Sequence, residues 1–128
     1  FDGVGVAKKL GQDPALVYKT LVTEGKSKED YVFVIPVAEE LNLKEAASSV
    51  SEKSVEMIHV KDINKITGYI RGGCSPIGMK KQFKTVIDSA AEALDKIVVS
   101  GGKIGTQVEL SPKDLSELIG AKFHNITM

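Results

Sequence analysis

The run Tyr31-Val32-Phe33-Val34-Ile35-Pro36 constrains this chain more than any other stretch. It is almost unbroken in β-branched, aromatic and aliphatic side chains, so it offers water no polar face and belongs in a strand covered on both sides. Such a strand is expected at the centre of a sheet, with the remaining elements wrapped around it. The 128 residues, 42% hydrophobic and 27% charged, suit one domain with a substantial core. No apolar run approaches the length of a membrane span. With no secretory pattern at its start and Cys74 as its lone cysteine, the chain is expected in a reducing, cytoplasmic compartment.

The rest of the chain alternates short elements. Residues 4–10 carry a helical pattern that Gly11 ends, and Asp13-Pro14 reads as a cap followed by proline in a first turn. Residues 16–22 read as a strand whose alternation puts Val17, Lys19 and Leu21 on one face. A polar hairpin loop, 24–30, leads into the central strand. Asn42-Leu43-Lys44-Glu45 spells a capping box for a helix through Val50, with Leu43, Ala46, Ala47 and Val50 at core spacing. Further strands are expected at 54–59, 83–87, 96–100, 106–110 and 122–126, and helices at 61–67, 89–94 and 111–119. Without βαβ regularity, this predicts an α/β (α+β) single domain: a mixed, curved, barrel-like sheet of six to seven strands with short helices packed around it.

Two stretches serve neither helix nor strand. Gly72-Gly73-Cys74-Ser75-Pro76-Ile77-Gly78-Met79-Lys80-Lys81 reads as a loop that presents backbone N–H groups, suited to a carbonyl or a developing oxyanion, or else as a plain tight turn. Gly101-Gly102-Lys103-Ile104-Gly105 is a second glycine-rich turn, and its lysine is not followed by the Ser or Thr of a phosphate-binding loop. Lys19, sharing a face with apolar neighbours, is either an edge-strand gatekeeper or an amine in a partly desolvated pocket. Gly3-Val4-Gly5 follows no strand and is not a dinucleotide fingerprint. Cys74, His59 and His124 are too scattered for a zinc set, so no metal is expected. The charge is flat, 17 Lys+Arg against 17 Asp+Glu, so bulk electrostatics will not hold a long duplex. A nucleic-acid contact is expected to be short, or assisted by a second protein.

Tyr18-Lys19-Thr20-Leu21-Val22, Thr67-Gly68-Tyr69, the Gly72 to Lys81 loop, Val86-Ile87-Asp88, Val99-Ser100-Gly101-Gly102-Lys103 and Val108-Glu109-Leu110-Ser111-Pro112-Lys113-Asp114-Leu115 resemble, in order and spacing, the YbaK-type aminoacyl-tRNA deacylases. The likeness covers essentially the whole of 1–128, and it implies that a family helix and strand upstream of Phe1 are missing. It implies trans-editing: release of cysteine mischarged on tRNA(Pro), engaged through its aminoacylated 3' end, without metal or organic cofactor and with prolyl-tRNA synthetase as a further partner. By the same resemblance Lys19 is the catalytic or orienting residue. Gly72, Gly73, Ser75 and Pro76 cradle the ester, joined by Gly101, Gly102 and Gln107. The cysteine-editing branch often has aspartate at the position of Gln107, which can hydrogen-bond an amine but not neutralise it. That branch is thought to use the substrate's own thiol as nucleophile. The residues alone show no Ser-His-Asp or Cys-His pairing, and Cys74 reads as a packing or loop residue. Alternatives are a module that binds an aminoacylated end or a synthetase without turnover, a deacylase for another small amino acid such as alanine, and a small-molecule hydrolase.

Overall fold

The computed structural model describes residues 3–128; Phe1, the expected truncation point, lies outside them. The apolar run becomes β2 (Asp30–Pro36), third of five in a mixed sheet of order β3-β1-β2-β4-β7. Its neighbours are β1 (Tyr18–Gly25), antiparallel, and β4 (Lys84–Asp88), parallel. Short β3 (Val55–Met57) and β7 (Lys122–His124) form the edges. Val32, Phe33, Val34 and Ile35 are at most 1% exposed, which is what a strand covered on both faces requires.

Alternate residues of β2 feed two cores. Val32 and Val34 join Tyr18, Val22, Ile87, Ile97 and Leu115 on one face. Tyr31, Phe33 and Ile35 join Ala46, Ala47, Val50 and Val86 on the other, beneath helix α2 (Leu43–Ser49). Asn42 caps α2 by accepting from the Glu45 N–H at 3.1 Å. Two details depart from the sequence reading. The Glu45 carboxylate does not close a capping box but lies 3.5 Å from His124 Nε2, and Leu43, in the first turn, is 43% exposed rather than core. His124 is half-exposed, as expected of a surface histidine.

The remaining elements follow their local signals. Helix α1 (Gly3–Lys9) precedes a single 3-10 turn, Pro14–Leu16, whose cap is the Asp13 side chain. The expected strand at 16–22 therefore starts later, at Tyr18, and the expected helix at 89–94 is a 3-10 segment, Ser89–Ala93. Helix α3 (Ile63–Thr67) follows directly on a 3-10 turn, Val60–Asp62. Helix α4 (Pro112–Ile119) carries its Ser111 cap and proline, and Gly120 closes it with φ 65°.

β5 (Ile97–Ser100) and β6 (Gln107–Leu110) form a separate two-stranded sheet. A lone parallel bridge, Val17 to Val98, ties it to the entrance of β1. The expected α+β domain of six to seven strands is borne out, its seven strands among the described residues divided between two sheets that leave an opening. The β3 pairing covers only Thr23 to Gly25, so among the described residues β1 has no strand partner along its outer edge between that ladder and the Val17 bridge. No helix among the described residues is long and apolar enough to cross a membrane.

Candidate active site

A cavity of about 540 Å³ fills that opening, within the range of small-ligand sites. Its floor is the edge of β1 that has no strand partner among the described residues. The lining includes Lys19 and Leu21, whose register opposite Ile35 and Phe33 assigns them to the α2 side of the sheet. It also includes Tyr18, Thr20 and Val22, from the side where Cys74, Ile77 and Met79 pack. Residues of both parities border one space because a strand edge, unlike a strand face, is reached from either side.

The walls are the two glycine-rich turns, held together by Tyr69. Thr67, at the end of α3, donates from Oγ1 to the Ile63 carbonyl at 2.7 Å and accepts from the Tyr69 N–H at 3.0 Å. Tyr69 then donates its hydroxyl to the Ile77 carbonyl. Its ring lies against Gly102, where a β-carbon would fall 2.9 Å from the ring and where φ is +102°. Gly73 is glycine for a different reason: a β-carbon there would stand 3.2 Å from both the Ile104 nitrogen and the Lys103 carbonyl carbon. Main chain meets main chain at this point. The second turn is closed by Gly101 N–H donating to the Thr106 carbonyl at 2.7 Å and Thr106 N–H to Lys103 at 3.0 Å.

Of the residues singled out from sequence, Lys19, Gly72 and Gln107 line the cavity. Gly73, Ser75, Pro76, Gly101 and Gly102 are not part of that lining; Ser75 is 2% exposed and its Oγ accepts from the Ile77 N–H at 3.2 Å. Gln107 exchanges hydrogen bonds with Gln12, at 2.7 and 3.3 Å, joining the segment after α1 to the start of β6. Lys19 is half-buried and has no ion pair among the described residues.

Sequence reasoning missed four lining residues. Thr20 looked like an ordinary strand former, yet it borders the cavity, and its Oγ1 is buried without a hydrogen-bond partner among the described residues. Arg71, Lys103 and Ser100 flank the glycines and line the same space. The lining therefore carries three cations and, among the described residues, no carboxylate. Cys74 also lines it, with its thiol pushed up to about 11 by burial, against a lowering hydrogen bond from Thr67. A thiol so desolvated stays protonated at neutral pH and is a poor nucleophile. The Tyr18 hydroxyl, buried and without a hydrogen-bond partner among the described residues, is pushed up to about 12, first by burial and then by the charge of Asp88. Asp88 itself is structural, accepting from the N–H groups of Ala90 and Ile126 at 3.2 and 3.1 Å.

A cation-lined cavity at a strand edge, walled by glycine-rich turns, has the size and charge to suit a small acyl group attached to an anionic carrier. The chain belongs to the aminoacyl-tRNA editing domain family, whose model matches residues 4–118. It is 48% identical over 122 residues to a protein of Enterococcus faecalis provisionally named Cys-tRNA(Pro)/Cys-tRNA(Cys) deacylase EbsC, covering 95% of this chain and 74% of that protein. A proline–tRNA ligase of Brachyspira hyodysenteriae is 23% identical over 86 residues, 66% of this chain and 15% of the ligase. Two crystal structures share the fold. One, provisionally described as a trans-editing enzyme for prolyl tRNA synthetase, has a TM-score of 0.88 at 21% identity, covering 98% of this chain and 79% of the other. The second, a hypothetical protein, has a TM-score of 0.90 at 25% identity, with coverages of 98% and 83%.

Proposed function

We propose that this protein is a trans-editing deacylase that releases cysteine mischarged on tRNA(Pro), acting in the cytoplasm alongside prolyl-tRNA synthetase. The observation that carries the reading is the shared cavity of Lys19, Gly72 and Gln107, cationic and built on a strand edge. The 48% identity to the Enterococcus protein supports cysteine as the amino acid, and the weaker likeness to a proline–tRNA ligase supports the link to that synthetase.

In this reading the Lys19 ammonium faces the ester and stabilises the charge that develops on its carbonyl oxygen. The turn at Gly72 borders the ester and holds it in place against β1. The cysteine's own sulfur attacks the carbonyl carbon. A C–S bond forms, the C–O bond to the ribose breaks, and the thiol proton ends on the departing ribose hydroxyl. The thiolactone then opens in water. No nucleophile from the protein is needed, in keeping with the protonated state of Cys74. Gln107 accepts from the substrate's amino group after releasing Gln12.

The experiment incubates the protein with Cys-tRNA(Pro), Ala-tRNA(Pro) and Pro-tRNA(Pro), with and without the synthetase, and follows loss of each ester. Rapid loss of the cysteinyl ester alone supports thiol-assisted release. Equal loss of the alanyl ester would replace it with attack by water, and binding without turnover would leave only a recognition module.

A further inference from the structure

The connection between β3 and β4, residues 58–83, holds five of the chain's 17 cations, Lys61, Lys65, Arg71, Lys80 and Lys81, and one of its 17 acids, Asp62. That leaves 12 cations against 16 acids elsewhere, so a chain with no net charge is divided into an excess of +4 in this connection and −4 in the remainder. All five cations are exposed. Lys61 and Lys65 are one turn apart on the continuous helical path through Val60–Asp62 and Ile63–Thr67. Lys80 joins them: its Nζ lies 3.5 Å from the Lys65 carbonyl oxygen and its N–H donates to Thr67 at 3.0 Å. Neither these three lysines nor Arg71 has an ion pair among the described residues. Like charges a turn apart cost a few tenths of a kcal/mol, roughly, and no ion pair among the described residues offsets it.

The same connection reaches the cavity through Ile58, Val60, Ile63, Arg71, Gly72 and Cys74. One connection thus carries both the exposed Lys61, Lys65 and Lys80 and Arg71, which lines a cavity without carboxylates among the described residues. We propose that this surface docks the phosphate backbone of the acceptor stem of the RNA whose aminoacylated end occupies the cavity. The inference rests on the deacylase reading and adds to it where the carrier lies. RNA fits better than an acidic protein because the groups bonded nearest to the ester are phosphodiesters, which lie next to the cavity whenever the ester is inside it. A flat net charge is thus no bar to a short, local RNA contact.

The test replaces Lys61, Lys65 and Lys80 together by Gln. A control replaces Lys44, Lys53 and Lys122, an equal charge change on other elements. Both are assayed on Cys-tRNA(Pro) and on the cysteinyl ester of adenosine, with melting temperature as the check on folding. The expected result is a KM for the tRNA raised about tenfold or more with kcat kept. The slope of log KM against log salt should flatten by about one per lysine removed, and kcat/KM on cysteinyl-adenosine should stay unchanged. An unchanged KM for tRNA, a loss matched by the control, or a loss seen only when the synthetase is added would overturn the proposal, the last pointing to an acidic protein surface. If the unaltered protein cleaves neither substrate, it is the deacylase reading that fails. Should the triple change lower the melting temperature, Lys65→Gln alone is read for the same salt slope.

Discussion

The β2–β4 centre of the sheet and the connection 58–83 are built to opposite rules. In the first, Phe33, Val34, Ile35, Val86 and Ile87 are all 0% exposed, and each residue's role is settled by what it displaces from water. In the second, cations stand in solvent, glycines admit neighbouring backbone, and Tyr69 stitches turns that are distant in sequence. The centre fixes whether the chain folds, while the connection, with the turn after β5, fixes what the opening beside β1 can hold. Changes in the centre should therefore cost stability first, and changes in the connection should cost turnover first.

The largest effect expected is at the centre. Phe33→Ala should lower unfolding free energy by about 3–5 kcal/mol, read by urea denaturation, because a fully buried ring leaves a cavity between β2 and α2. Next, Asp88→Ala should cost about 2 kcal/mol by leaving the Ala90 and Ile126 N–H groups without their acceptor. A loss as large from Gly73→Ala would blur the comparison. That change is instead expected to cost about 1 kcal/mol, since the added carbon need displace Lys103 and Ile104 by only a few tenths of an ångström, while deacylation falls about tenfold.

The smallest effect belongs to Cys74. Cys74→Ala should leave turnover within about threefold, because a protonated thiol contributes packing rather than attack. Its alkylation by iodoacetamide should rise with an apparent pKa of about 11 rather than the ordinary value near 9. The sign of the linked stability follows. Above pH 9 the unfolded chain loses the thiol proton while the folded one keeps it, so the contribution is full below pH 9 and declines as the pH climbs toward 11. Loss of that decline in Cys74→Ala, measured against the unaltered protein, isolates this group from the tyrosines and lysines.

Legibility in the sequence divides along the same line. The central strand, the Ser111 and Asn42 caps and the Gly120 stop rest on local chemistry, and each is found where its pattern placed it. The opening beside β1 does not, because it exists only where the β3 ladder stops at Thr23 and β5 touches at Val17, facts of long-range register. Thr20 was hidden for the same reason: a β-branched residue in a strand is unremarked until its hydroxyl proves buried and unpartnered. Gly73 was noticed as glycine, but its cause, the approach of Lys103 and Ile104, lies in another segment. Overall neutrality was plain, whereas the weight of charge on one connection gains meaning only from that connection's place on the cavity.

The most direct test is single-turnover deacylation of Cys-tRNA(Pro) by Lys19→Ala beside the unaltered protein. If Lys19 stabilises the oxyanion as proposed, its removal should slow ester loss by about a hundredfold or more, with the melting temperature held within a few degrees because Lys19 is half-buried and has no ion pair among the described residues. Ester loss at the unaltered rate would contradict the account and take the amine of β1 out of the chemistry.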